Sequence, residues 1–191
     1  MRRKRSLAVL IAIIGVAVYG GSVLAAPAPA AHDHPTGSAS QAELAAVRQV
    51  TAQFHSVEAA IAAGYELGYV NGSGIRIIAG CISNPTAGAM GYHYFNKALV
   101  DDMVVDPLKP EALVYESLPN GKLKLVAVEY VVPGPGSNPP GPSGPAPTVF
   151  GMAMHILVPP PGPGFYLHHA WIWRYNPAGM FADWNPEVTC P

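Results

Sequence analysis

From Phe165 to Tyr175 the chain reads FYLHHAWIWRY, and this one stretch restricts the fold more than any other. Large apolar residues alternate along it with the period of two that a β-strand imposes. Phe165, Leu167, His169, Trp171, Trp173 and Tyr175 project to one side, and Tyr166, His168, Ala170, Ile172 and Arg174 to the other. The spacing predicts a central strand from Phe165 to Tyr175. It also sends the adjacent His168 and His169 to opposite faces of the sheet, so only one of them can join any given site.

Other segments supply the partners of that strand. PEALVYE, from Pro110, is followed by Asn120-Gly121 and then KLKLVAVEYVV, which predicts a β-hairpin. Along the second arm, Leu123, Leu125, Ala127, Glu129 and Val131 are expected on one face, which sets Glu129 on an otherwise apolar surface. An unpaired buried carboxylate is costly, so Glu129 needs a partner or an open position. GYHYFN, Gly91–Asn96, reads as a short strand or as the start of a helix reaching Asp102. Phe150–Val158 reads as a further strand. Pro133–Pro147 holds seven prolines and four glycines and is expected as an exposed loop that does not pair in a sheet.

Ahead of the strands, Ser40 and Glu43 have the spacing of a capping box. Leu44, Val47, Val50, Phe54, Val57 and Ile61 then recur every three or four residues up to Gly64. This predicts one long amphipathic helix, Ser40–Ala63, with a single apolar stripe. The expected fold class is therefore α+β: a long N-terminal helix packed on a four- to five-stranded antiparallel sheet, one domain over residues 40–191.

Met1–Ala25 has the composition of an export signal. Arg2, Arg3, Lys4 and Arg5 precede an apolar run from Leu7 to Val18, and Val23-Leu24-Ala25 is an acceptable cleavage site. Uncut, the same stretch is long enough to anchor the chain in a membrane; cut, it leaves no stable span. Residues 26–39 read as a disordered leader rich in Ala, Pro, His and Gly, in which His32-Asp33-His34 forms a small histidine cluster. The whole chain carries eleven basic and twelve acidic residues. Removing the signal leaves seven bases against twelve acids, a net charge of −5 with no basic cluster, which argues against nucleic acid as a partner. The expected location is secreted or periplasmic. There the only two cysteines, Cys81 and Cys190, are expected to form a disulfide, since neither has a CxxC or CxxH neighbour to make it a metal ligand.

The residues that can carry chemistry are His93, Glu129, His155 and one of His168 or His169, each on a different predicted strand. Imidazole nitrogens and a carboxylate suit a divalent metal, with zinc or copper expected. No HxH, HExxH or HxxxH pair occurs within the folded part, so such a site must be assembled across strands. It requires His93 and His168 to share one face. Two other readings stand beside it. One is a metal-independent acid–base enzyme using Glu129 and a histidine; the other is a non-catalytic module that holds a small ligand or an envelope component on Tyr166, Trp171, Trp173 and Trp184. Neither has a short-range motif, and no GxSxG nucleophile elbow is present.

The blocks GAMGYHYFN, PEALVYE, LVAVEYVVP and LHHAWIWRYNPAGMFADWNP, spanning roughly Gln41 to Cys190, resemble an uncharacterised family of exported bacterial proteins. The resemblance implies export and assigns no activity. In that family the position of His169 is often apolar while the position of His168 lies in the shared LHxW phrase. It therefore favours His168 over His169, and the expected metal-ligating set is His93, Glu129, His155 and His168.

Overall fold

The computed structural model describes residues 39–157 and 164–191. The expected export signal, the leader with His32-Asp33-His34 and the segment 158–163 lie outside the described residues. In chain order the elements are α1 (Gln41–Thr51), a 3-10 turn (Ala52–His55), α2 (Val57–Ala62), β1 (Tyr65–Leu67), β2 (Tyr69–Val70), β3 (Arg76–Ile77), β4 (Cys81–Asn84) and β5 (Gly88–Asn96). There follow α3 (Lys97–Asp102), β6 (Ala112–Ser117), β7 (Leu123–Pro133), β8 (Thr148–Val149), β9 (Met152–Ala153), β10 (His155–Leu157) and β11 (Phe165–Ala170). The architecture is mixed helix and antiparallel sheet. GYHYFN is strand throughout, the end of β5, and α3 follows it directly.

The long helix expected over Ser40–Ala63 is instead three short pieces. Its start is as predicted: Ser40 and Glu43 make both bonds of a capping box. The break comes at Ser56, which adopts an extended backbone and caps a new helix by accepting the Ala59 N–H. Just before it, the Phe54 carbonyl accepts the Tyr115 hydroxyl at 2.7 Å. A periodic apolar pattern survives such a break because both pieces lie on the same surface, with Leu44, Val47, Phe54 and Ala60 all buried in one cluster.

The main sheet has seven strands rather than four or five, in the order β1-β5-β6-β7-β11-β10, with β4 also paired to β5. All pairings are antiparallel. β5 is long enough for β4 and β1 to share its outer edge. The predicted hairpin is present as β6 and β7, and Pro133 is not in the loop but closes β7 opposite Phe165. Proline is tolerated there because it ends its strand.

A bulge between Val114 and Tyr115 corrects the predicted faces of β7. Tyr115 pairs with Leu125 and Val114 with Ala127, so Val126 is the extra residue. Leu123 and Leu125 consequently pack with the helices, beside Val128, Tyr130 and Val132. Ala127, Glu129 and Val131 take the opposite face. The strand expected to reach Tyr175 likewise ends at Ala170, and Trp173 turns back to the helical side, donating its indole N–H to Thr51 Oγ1. The strand expected over Phe150–Val158 is divided in two. Phe150 and Gly151, both at positive φ, turn β8 back onto β9, and β10 alone joins the main sheet.

The sheet thus has two covered faces. One carries α1, α2 and the larger apolar cluster. The other is covered by Tyr69, Ile77 and Ile78 of the β2–β3 ribbon and by the C-terminal segment at Val188 and Cys190. The Cys81–Cys190 disulfide ties that segment to β4. Among the described residues no helix is long and apolar enough to cross a membrane.

Candidate metal centre

The candidate site lies on the sheet face away from α1 and α2, where β5, β7 and β11 bring polar groups into an apolar layer. β7 contributes Glu129. In the register of the sheet Glu129 stands opposite His169 of β11 on one side and Ala112 of β6 on the other. Ala112 is opposite Phe95, two residues along β5 from His93. The small Ala112 side chain leaves His93 room to reach across β6 toward the carboxylate.

Glu129 sits between two imidazoles. Its Oε1 is 3.0 Å from His169 Nδ1 and its Oε2 is 3.5 Å from His93 Nε2. One donor atom from each residue falls within 4.8 Å of the other two. All three side chains are buried, at most 3% exposed. The rings meet edge to face at 5.6 Å, and each histidine stacks on an aromatic neighbour, His93 on Phe95 and His169 on Trp171. His169 Nδ1 is held at ion-pair distance by Glu129, whereas Nε2 has no hydrogen-bond partner. A fully buried imidazole nitrogen left without one departs from the rule that buried polar groups are paired.

Burial and charge act against each other here. Burial pushes His93 down to about 4, with the Glu129 carboxylate opposing and His169 reinforcing the shift. Burial alone would raise Glu129, but His169 and then His93 outweigh it and hold the carboxyl below its ordinary range. For His169 burial is again the largest influence and lowers it; Glu129, with a smaller contribution from Asp183, overcomes it and leaves a net rise. Burial and charge together thus favour an ionised Glu129, a neutral His93 and a His169 that holds its proton more tightly than an ordinary histidine.

Two of the four predicted ligands, His93 and Glu129, come together, and the other two stand apart. His168 faces the helical side, opposite Tyr130 and between Phe150 and Phe181. Strand alternation requires this once His169 faces Glu129, and the condition that His93 and His168 share one face is not met. His155 is on the same side as Glu129 but on the edge strand, where it is paired with Leu167, two residues from His169. Its Nε2 is 2.9 Å from Asp183 Oδ2. The ligand that sequence reasoning passed over is His169. It could have been found from the register of β7 against β11, but the two strands are joined by 31 residues, 134–164, and no turn motif fixes that register. Comparison of the chain with protein-family models, with curated proteins and with solved structures gave no match.

Proposed function

We propose that this chain is an exported protein that binds one divalent transition metal through His93 Nε2, Glu129 and His169. The observation that carries the reading is the buried cluster of three donors within 4.8 Å of one another, set in an apolar layer. Two imidazoles and a carboxylate suit zinc or copper. A metal would take the place of a proton on one nitrogen of His169. Three protein donors leave a coordination position open, as in sites that bind or activate a small molecule. Export is supported by the composition of residues 1–25 and by the disulfide.

The metal-independent acid–base reading would be favoured by a Glu129 that holds a proton near neutral pH. The two histidines act in the opposite direction and keep it ionised.

The test is metal analysis of the protein purified without a histidine tag, beside the His93→Ala/His169→Ala variant and a His32→Ala/His34→Ala control. The expected result is one metal per chain in the wild type and the control and none in the site variant. Added zinc at a hundredfold excess over its dissociation constant should contribute about 2.7 kcal/mol, a rise in melting temperature of roughly 5–10 °C. A wild type without metal, whose melting temperature ignores zinc and copper, would refute the proposal.

A further inference from the structure

The space beside the metal centre is built for a particular kind of ligand. A cavity of about 60 Å³ lies against His93 and Glu129, the only polar side chains on its wall among the described residues. His169 does not line it. A metal held by the three residues would border this cavity through His93 and Glu129. The rest of the wall is hydrocarbon or thioether, including Met90, Phe95, Leu157, Phe165 and Leu167. The volume holds roughly four waters, about the bulk of a short aliphatic chain.

Ile78 completes the wall, and its backbone is held at a φ of 55°. A β-branched residue rarely adopts this left-handed conformation, and such strain concentrates where a side chain is held for a purpose. Here it holds the Ile78 side chain, partly buried, against the apolar cluster of Tyr69, Phe95 and Phe165.

We infer that the cavity is the binding site for a short aliphatic monocarboxylate whose carboxylate takes the open position of the metal and whose chain fills the apolar space. This rests on the metal reading above. The charge follows from the donor set: a divalent ion, one carboxylate and two neutral imidazoles leave one positive charge, which a single anionic head neutralises. A second charged group on the ligand would meet only apolar wall and remain unpaired, a costly outcome. The site should therefore reject dicarboxylates and amino acids of the same length.

The experiment is calorimetric titration of the zinc-loaded full chain with acetate, propionate, butyrate and succinate, after zinc stoichiometry has been measured separately. Affinity should rise about fourfold per added methylene, so that butyrate binds about fifteenfold more tightly than acetate. Succinate should bind at least tenfold more weakly than butyrate. Ile78→Gly suits the left-handed backbone and removes the wall; it should keep the zinc stoichiometry and affinity while lowering butyrate affinity at least fivefold. Equal affinities along the series, or succinate equal to butyrate, or an Ile78→Gly variant with unchanged butyrate affinity, would overturn the ligand assignment while leaving the metal site standing. Failure to take up zinc would overturn both.

Discussion

Glu111 offers a quantitative check on the electrostatics of this core that does not depend on any metal. It is fully buried; Oε2 accepts the Val131 N–H at 3.0 Å, and Oε1 has no hydrogen-bond partner. Burial is the main reason its carboxyl is pushed up from 4.5 to about 8. Hydrogen bonds from the backbone oppose the rise, and Asp102 and Glu129 add to it. The folded protein therefore keeps a proton on Glu111 that the unfolded chain releases near pH 4.5. Stability from this group is complete below that pH, falls as pH rises and levels off above about 8. At about 1.4 kcal/mol per pH unit, the loss between pH 5 and pH 8 is about 4 kcal/mol. Glu111→Gln cannot ionise, and its oxygen still accepts the Val131 N–H. Any cost of placing an amide nitrogen at the unsatisfied position is the same at every pH. Urea unfolding of both proteins at pH 5, 6, 7 and 8, with the disulfide intact, should show the variant gaining on the wild type by about 4 kcal/mol over that range. A difference that stays constant with pH would refute the reasoning.

Reducing the Cys81–Cys190 disulfide, which spans 109 residues, should cost about 4–5 kcal/mol in the chain-entropy account, read as a fall in the urea midpoint with a steeper slope as the unlinked chain unfolds further. Gly91→Ala should destabilise by at least about 2 kcal/mol and lower expression, because Gly91 has a φ of 117° and an added Cβ would lie 2.5 Å from the Tyr115 carbonyl oxygen of the adjacent strand. Without metal, Glu129→Gln should cost about 3–5 kcal/mol by removing the buried carboxylate that faces both histidines. The Glu129→Gln/His169→Leu double variant should recover most of it, and a double-mutant cycle in thermal unfolding checks both.

The parts of this fold that the sequence made legible are those governed by local chemistry. The capping box at Ser40, the hairpin turn at Asn120-Gly121 and the alternation of Phe165–Ala170 each depend on residues close together in the chain, and each stands in the structure as expected. What was hidden depends on distant partners. The helix breaks at Ser56 while Tyr115, 61 residues away, takes the Phe54 carbonyl. The bulge that moves Leu125 to the other face exists only in the pairing of two strands. The site follows the same division. His93 and Glu129 were visible as polar residues within apolar strands, whereas the choice between His168 and His169 depended on register across a 31-residue connection.

Register also explains why His169 matters more than its neighbour. His168 is buried among Phe150 and Phe181 on the helical side, remote from Glu129 by virtue of the alternation itself. His169 is directly opposite the carboxylate and raises the question of what such a pair does in a core. A buried ion pair is weak evidence of stability, since hydrocarbon of similar volume often serves as well or better. Here the pair is joined by a third donor, His93, which burial keeps neutral and so available as a ligand at neutral pH. The surrounding layer of Ala112, Val131 and Leu167 is apolar, so leucine or valine in place of the three polar residues would be compatible with the sheet. A purely structural role therefore leaves the grouping unexplained. A cation coordinated by all three would give the grouping a role that hydrocarbon could not fill.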